Sequence, residues 1–263
     1  QPLQKLRICL TLMPELARKR AIAYTKKELC DLAVIESDVL KATHVVTKNQ
    51  AMTTKIIYAL SSGIPLVTID WLAEMANVLP KAIEGENNTD DDGVKSGCIR
   101  LPAVDNFLPE PRWAEDDRET AVANSIQLVG SQQVHHKDTC TSPRISRKHL
   151  LAGKTVFMIS DTHEPVWTAI IEKCGGYVVD YASAVNFKKA LMEARVAFPD
   201  NQCIIFVGSP SYRSAASVLS RDHDRIPLLY AKNLGVCIYS AESVNIEDFQ
   251  TQGSGHLAMS SVF

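Results

Sequence analysis

The amino-acid sequence predicts an α/β protein in which one plan of alternating strands and helices occurs twice. Short apolar runs rich in Val and Ile alternate with segments of helical periodicity, which indicates parallel sheets covered by helices on both faces. The same order of segments recurs in the second half of the chain, and the 263 residues exceed the usual size of one domain. We therefore expect two domains, each with a small four-stranded parallel sheet.

The first half contains four predicted strands, at residues 6–11, 33–36, 43–47 and 65–69. Residues 15–32 are a mixed stretch that ends in a helical pattern. A helix is predicted over 53–62, where Thr53 is placed to cap the first turn and Gly63 to end the last. A further helix is predicted from Asp70 to about residue 79.

The second half repeats this order, with predicted strands at residues 154–160, 177–181, 203–208 and 235–240. Helices are predicted from about Pro165 to Cys174, near 213–220, and from Ala241. The glycine pair at 175–176 has no phosphate-binding pattern around it and predicts a turn that ends the preceding helix.

Two polar stretches separate the repeats. Residues 84–97 are rich in turn formers and predict a surface loop, and residues 109–143 carry Pro, acidic and Ser/Gln clusters with little periodicity. Residues 145–151 form a candidate short helix leading into the second domain. The predicted organisation is a first domain over 1–110, an interdomain linker over 111–150 and a second domain over 151–263.

Composition narrows the class of protein. Hydrophobic residues make up 46% and charged residues 22%, which is typical of a globular chain, and no apolar run is long enough to span a bilayer. The net charge of -2 argues against direct DNA binding by a broad electrostatic surface. Seven cysteines without a C-x-x-C pair indicate reduced, buried thiols of an intracellular protein. The N-terminal residues lack the pattern of a secretion signal, so a piece cut from a longer protein is expected.

Lys55 occupies an unusual place for a cation. It falls in the first turn of the predicted helix, where unpaired amides and the helix dipole favour negative charge. An anion bound at this position would explain the lysine. Taken one at a time, however, these residues favour simpler interpretations: Lys55 as a solvated surface lysine, Thr53 as a helix cap, and Thr11 as a hydroxyl at the end of a strand.

Three segments together resemble a known family. They are "ATHVV" at 42–46, "TTKIIYALSSGIPLVTIDWL" at 53–72 and "EKCGGYVVDY" at 172–181. The chain resembles a tandem pair of BRCT domains of the phosphopeptide-binding type, and is similar to those of DNA-damage mediators and fungal multi-BRCT genome-integrity scaffolds. We assign Trp71 to core packing. The second repeat matches less well, because Ser243 is taken as the counterpart of Trp71 there.

The resemblance implies a phosphate pocket in the first repeat. Its members are the hydroxyl of Thr11, the backbone amide of Leu12, and Thr53 and Lys55 of the Thr-x-Lys motif. It also implies a peptide groove between the repeats, with the candidate lining Met52, Ile57, Thr162, His163 and Pro165. The family often has Arg at the position of Met52 for a peptide carboxylate, so that contact stays unassigned here.

The function implied is recognition of a phosphoserine peptide by a non-enzymatic module of a DNA damage response scaffold. The expected ligand is the phosphorylated C-terminal tail of a damage-marked core histone, with other DNA repair proteins as further partners, in the nucleus on chromatin. Two alternatives stay open. One is a phosphate-independent module that binds a folded partner or helix through the linker and interdomain surface. The other is binding of DNA ends at the same pocket, which predicts a steep salt dependence.

The sequence gives little support for metal binding or catalysis. The His and Cys residues at 134–140 fit no standard zinc ligand set, and the acidic run at 89–93 lacks the spaced ligands of a calcium loop. The serines at 208–214 have neither the nucleophile-elbow spacing nor an identifiable His partner. We therefore expect no catalytic residue, no metal and no cofactor.

Overall fold

The computed structural model describes residues 5–30, 32–49, 53–85, 101–109, 147–159, 165–180 and 184–240. The chain divides into two compact units, Gln1–Thr139 and Cys140–Phe263. Each unit contains one four-stranded sheet in which all strand pairs are parallel, with helices beside it. The predicted α/β architecture of two repeats is confirmed. The linker boundaries at 111 and 150 stay predictions.

The first repeat follows the predicted order of elements. They are β1 (Leu6–Leu10), α1 (Glu15–Ala23), β2 (Ala33–Glu36), β3 (His44–Val46), α2 (Thr54–Ser62), β4 (Leu66–Val67) and α3 (Ile69–Gly85). The sheet order is β2-β1-β3-β4, so β1 lies between β2 and β3. A π-helical turn, Tyr24–Glu28, extends α1, and a 3₁₀ turn, Val39–Lys41, joins β2 to β3. Helix α3 runs beyond its predicted end.

The ends of α2 are as the sequence predicts. The Thr53 hydroxyl accepts a hydrogen bond from the Ile56 amide at 3.4 Å, which satisfies one of the unpaired amides of the first turn. Gly63 has φ 69°, the left-handed conformation that glycine adopts without steric cost at a helix C-terminus. These local signals fix where α2 begins, and therefore where Lys55 lies.

The two faces of the first sheet carry different helices. Ile8 and Leu10 of β1 pack in a core with Ala21 of α1 and with Trp71 of α3. Successive side chains of a strand alternate between faces, so Cys9 points to the opposite face, where Lys55 of α2 lies near its thiol. Trp71 is fully buried and its indole nitrogen donates to the Pro102 carbonyl at 3.0 Å, which confirms its assignment to packing.

The second repeat has the same sheet and, among the described residues, one α-helix more. Its elements are β5 (Lys154–Ile159), α4 (Pro165–Lys173), β6 (Tyr177–Asp180), α5 (Ala184–Ala197), β7 (Gln202–Val207), α6 (Arg213–Asp222), β8 (Leu228–Tyr230) and α7 (Ala231–Ser240). The sheet order is β6-β5-β7-β8. Helix α5 was not predicted. Its buried residues Phe187, Leu191 and Ala194 form a narrow stripe among charged neighbours, which gives a weak helical signal.

The strand predicted at 235–240 is wrong. These residues belong to helix α7, and the last strand of the sheet is β8, which pairs with β7 at Leu228–Tyr230. A short apolar run looks alike in a buried strand and in a buried helix, so periodicity alone did not separate the two. The helix predicted from Ala241 lies outside the described residues.

This correction also changes the counterpart of Trp71. Val67 and Tyr230 are the last paired residues of β4 and β8, and Trp71 and Leu234 each follow four residues later. Leu234 is fully buried, so an apolar side chain fills the equivalent position of α7. The assignment of Ser243 to this position is therefore wrong, and the second repeat matches the first better than the sequence indicated.

The cysteines only partly follow the prediction of buried thiols. Among the described residues, Cys9, Cys174 and Cys237 are buried and form no disulfide, whereas Cys203 is half-buried. Cys30 is exposed, which corrects the prediction at that position. No helix of the described residues is both long enough and apolar enough to cross a membrane.

Candidate phosphate-binding site

The predicted phosphate-binding residues follow the carboxyl ends of the strands in the first sheet. Thr11 comes directly after β1, and its amide donates to the Val46 carbonyl at 3.1 Å, so it continues the ladder between β1 and β3. Thr53 and Lys55 come after β3, at the start of α2. Because β1 and β3 are parallel, their carboxyl ends meet at one edge, where open α/β sheets bind their ligands.

Thr11 and Lys55 lie on the same face of this edge. Thr11 continues β1 two residues beyond Cys9, so the two side chains point to the same side of the sheet. The ammonium of Lys55 is close enough to the Cys9 thiol to lower its pKa. The hydroxyl and the ammonium therefore point into one region, on the side covered by α2.

Leu12 has a strained backbone next to Thr11. Its φ is 48°, a left-handed conformation that costs a leucine about 1–2 kcal/mol. Its side chain is 40% exposed. Non-glycine residues in this conformation concentrate at binding sites, where the surrounding structure holds them. The chain thus turns sharply at the residue whose amide the family resemblance assigns to phosphate.

The Thr53 hydroxyl and the Lys55 ammonium can each donate further hydrogen bonds. The cap at Thr53 uses a lone pair of the hydroxyl oxygen, so the O–H can still donate. Lys55 donates to the carbonyl of Ser37 at 3.3 Å, and an ammonium carries three donors. Within the described part of the chain, the Thr11 hydroxyl makes no hydrogen bond, and Lys55 forms no ion pair.

In the described part of the chain, Lys55 has charged neighbours but no direct ion pair. Burial raises the pKa of the Cys9 thiol, and although Lys55 lowers that pKa, the net direction is upward. Cys9 is therefore a neutral thiol at pH 7. Glu36 and Asp38 also act on Cys9, which places two carboxylates near the lysine. An anion bound by Lys55 would experience attraction from the ammonium and repulsion from these carboxylates.

The predicted groove residues are only partly described. Met52, Thr162 and His163 lie outside the described residues. Ile57 is 4% exposed on α2, so only a small part of its side chain could touch a ligand. Pro165 is exposed and is the first residue of α4. The groove stays a prediction.

The structure adds one contact that no pattern in the sequence indicates. Lys55 contacts the turn that follows β2, through the backbone carbonyl of Ser37. No motif marks a carbonyl acceptor, and these residues lie 18 positions apart. Only the pairing of β1 with β2, which puts Glu36 beside Cys9, brings this turn to the start of α2.

Metal binding has no candidate in the described residues, which contain no group of three or more His, Cys, Asp or Glu side chains placed to hold an ion. The His and Cys residues at 134–140 and the acidic run at 89–93 lie outside them. The expectation of a protein without metal or cofactor stays a prediction.

Comparison with known proteins identifies similar folds. The BRCT5-BRCT6 domains of S. pombe Brc1 align over 92% of this chain and 95% of that chain, with a TM-score of 0.50 and 16% identity. The FHA/BRCT-repeat domain of S. pombe Nbs1 aligns over 95% of this chain and 63% of that one, with a TM-score of 0.46 and 14% identity. Rtt107p from yeast, in complex with a phosphorylated histone, aligns over 93% and 90%, with a TM-score of 0.44 and 9% identity.

The sequence itself matches no family model and no curated protein. The likeness to Brc1 is nevertheless one of architecture over nearly the whole of both chains. The two four-stranded, all-parallel sheets of this chain, with their flanking helices, match the tandem BRCT domains of this neighbour. The chain therefore has the fold of a tandem pair of BRCT domains, as predicted.

Proposed function

We propose that the chain is a phosphoserine-peptide recognition module of a DNA damage response scaffold. Its phosphate pocket consists of the Thr11 hydroxyl, the Leu12 amide, Thr53 and Lys55. The ligand is the phosphorylated C-terminal tail of a core histone at damaged or stalled DNA, which is the ligand that the sequence resemblance implies. The module acts by binding, without catalysis, on nuclear chromatin and among other DNA repair proteins.

One observation carries this proposal. Among the described residues, a hydroxyl with no hydrogen-bond partner and an ammonium with no ion pair face the same side of the same sheet edge. A phosphoserine carries nearly two negative charges and three acceptor oxygens, and therefore matches a hydroxyl, an amide and an ammonium together. The helix N-terminus at Thr54 adds further preference for negative charge.

The magnitude of the effect can be estimated for Lys55. A hydrogen bond to a charged group contributes about 1.5–3 kcal/mol. Removal of the ammonium should therefore weaken phosphopeptide binding about 10- to 150-fold. Desolvation of the phosphate and ordering of the peptide offset much of the gross gain, so we expect an affinity in the micromolar range.

The test is a calorimetric titration with matched phosphorylated and unphosphorylated histone-tail peptides. The unmodified chain should bind only the phosphorylated peptide, and Lys55→Met should lose most of that affinity. Lys189→Met removes an exposed lysine from the second repeat and serves as the matched control, with no change expected. Equal affinity for both peptides would refute the proposal.

Titrations of the same two variants with other ligands separate the alternatives. Binding of a folded partner that survives Lys55→Met would favour a phosphate-independent interaction module. Affinity for DNA ends that falls steeply with salt would favour DNA binding at the pocket. Either result without phosphopeptide binding would overturn the assignment of the pocket.

A further inference from the structure

We propose that Glu36 is a positioning residue for Lys55, which it holds in place through the peptide bond between Ser37 and Asp38. This inference rests on the proposed function of the pocket, because it assigns a further determinant to the same site. Glu36 itself touches no part of the expected ligand. It acts on the backbone group that anchors the ammonium.

The contact chain passes through one peptide plane. The carboxylate oxygen Oε1 of Glu36 accepts from the Asp38 amide at 3.0 Å. The carbonyl of that same peptide bond, on Ser37, accepts from the Lys55 ammonium at 3.3 Å. In a planar trans peptide the N–H and the C=O point in opposite directions. A carboxylate that fixes the amide therefore also fixes the direction of the carbonyl.

Asp38 stabilises the same turn through hydrogen bonds to the residues that follow it. Asp38 caps the 3₁₀ turn, since its Oδ1 accepts from the Leu40 amide at 3.0 Å. Its own carbonyl accepts from the Lys41 amide at 3.1 Å. The Ser37–Asp38 peptide thus has hydrogen-bonded neighbours on both sides, and its free rotation is restricted.

This arrangement holds Lys55 without neutralising it. A long lysine side chain has several freely populated rotamers, part of whose freedom a ligand must otherwise restrict. A carbonyl anchor limits that freedom and leaves the full positive charge for an anion. Glu36 is engaged by the Asp38 amide, and Lys55 forms no ion pair among the described residues.

The carboxylate also has an opposing effect on an anion. Glu36 pairs with Cys9 across the ladder between β2 and β1, so its side chain lies on the same face as Thr11. Its negative charge repels a phosphate on that face. The substitution Glu36→Gln keeps an acceptor oxygen on a side chain of the same length and removes the negative charge. The two roles of Glu36 can therefore be separated by substitution.

The experiment is a double-mutant cycle with a phosphorylated histone-tail peptide, read by NMR titration. Glu36→Ala should weaken binding about fivefold, within the range found for residues coupled in one network, whereas Glu36→Gln should bind equally or more tightly. In the Lys55→Met background, Glu36→Ala should weaken binding no further, and relief of the carboxylate's repulsion should leave the affinity equal or slightly higher. An equal loss in both backgrounds would overturn the inference, because Glu36 would then act independently of Lys55.

A second measurement needs no peptide. In protein with lysine isotope-labelled at Cε, the Lys55 resonance is assigned by its loss in Lys55→Met. Glu36→Ala should move this resonance toward the position of a solvated lysine, and Glu36→Gln should leave it in place. An unchanged resonance in Glu36→Ala would overturn the inference. If the resonance moves but no phosphopeptide binds, the anchor exists and only the proposed function fails.

Discussion

The strained turn at Leu12 gives a prediction about stability that does not depend on ligand binding. Leu12→Gly and Leu12→Ala both delete the exposed side chain and both keep the backbone amide. They differ in the conformational free energy that the residue requires to adopt φ 48°. Alanine retains a Cβ, which in the left-handed conformation costs about 1–2 kcal/mol, and glycine does not.

The expected difference follows from two opposing contributions. Relief of strain favours glycine by about 1–2 kcal/mol, and the greater freedom of glycine in the unfolded chain disfavours it by about 0.4–1 kcal/mol. The glycine variant should therefore be more stable than the alanine variant by about 0.8 kcal/mol.

Urea unfolding followed by circular dichroism measures this difference, and thermal unfolding should show a Tm about 2 °C higher for glycine. Both variants should retain phosphopeptide binding, because each keeps the amide donor. A glycine variant less stable than the alanine variant would contradict the left-handed turn at this position.

Two further predictions concern stability away from the pocket, one in each repeat. Burial lowers the pKa of His44, which stacks on Trp71 at 4.6 Å, to about 4. Because the folded pKa lies below the unfolded value near 6.5, stability should fall as the pH decreases from about 6.5 toward 4, by about 2 kcal/mol between pH 7 and pH 5. Urea unfolding at both pH values should show this loss, and His44→Gln should reduce it; an unchanged pH dependence would contradict the assignment. In the second repeat, Gly175→Ala would place a Cβ 2.5 Å from the Lys148 carbonyl oxygen at φ 85°, whereas Gly153→Ala at φ 70° meets nothing within 4 Å. Gly175→Ala should therefore lower the free energy of unfolding by more than about 2 kcal/mol and Gly153→Ala by only about 1 kcal/mol, and similar losses would refute the close approach.

Local signals in the sequence were sufficient for much of the first repeat. The strand pattern at β1 and β2, the cap at Thr53 and the stop at Gly63 each depend on a few neighbouring residues. Such signals act within one turn or one strand, so they can be recognised without the fold. The unfavourable place of Lys55 follows from the same cap, because it fixes the first turn of α2.

The last elements of the second repeat could not be predicted in this way. The apolar run at 235–240 fits a buried strand as well as a buried helix, and the choice depends on which segment pairs with β7. Leu228–Tyr230 forms that pairing, which leaves the following residues to form α7. Helix α5 could not be predicted locally either. Its apolar stripe is narrow, and the helix is stabilised by packing on β5 and β7.

The sequence by itself determined the α/β class, the duplication, the start of α2 and hence a cation in a position suited to an anion. Only the tertiary structure decided that Lys55 faces the side of Thr11 and that it is anchored on Ser37. It also decided the left-handed turn at Leu12. These features depend on the order and register of strands that are distant in the chain, and no local pattern of residues encodes a contact of that range.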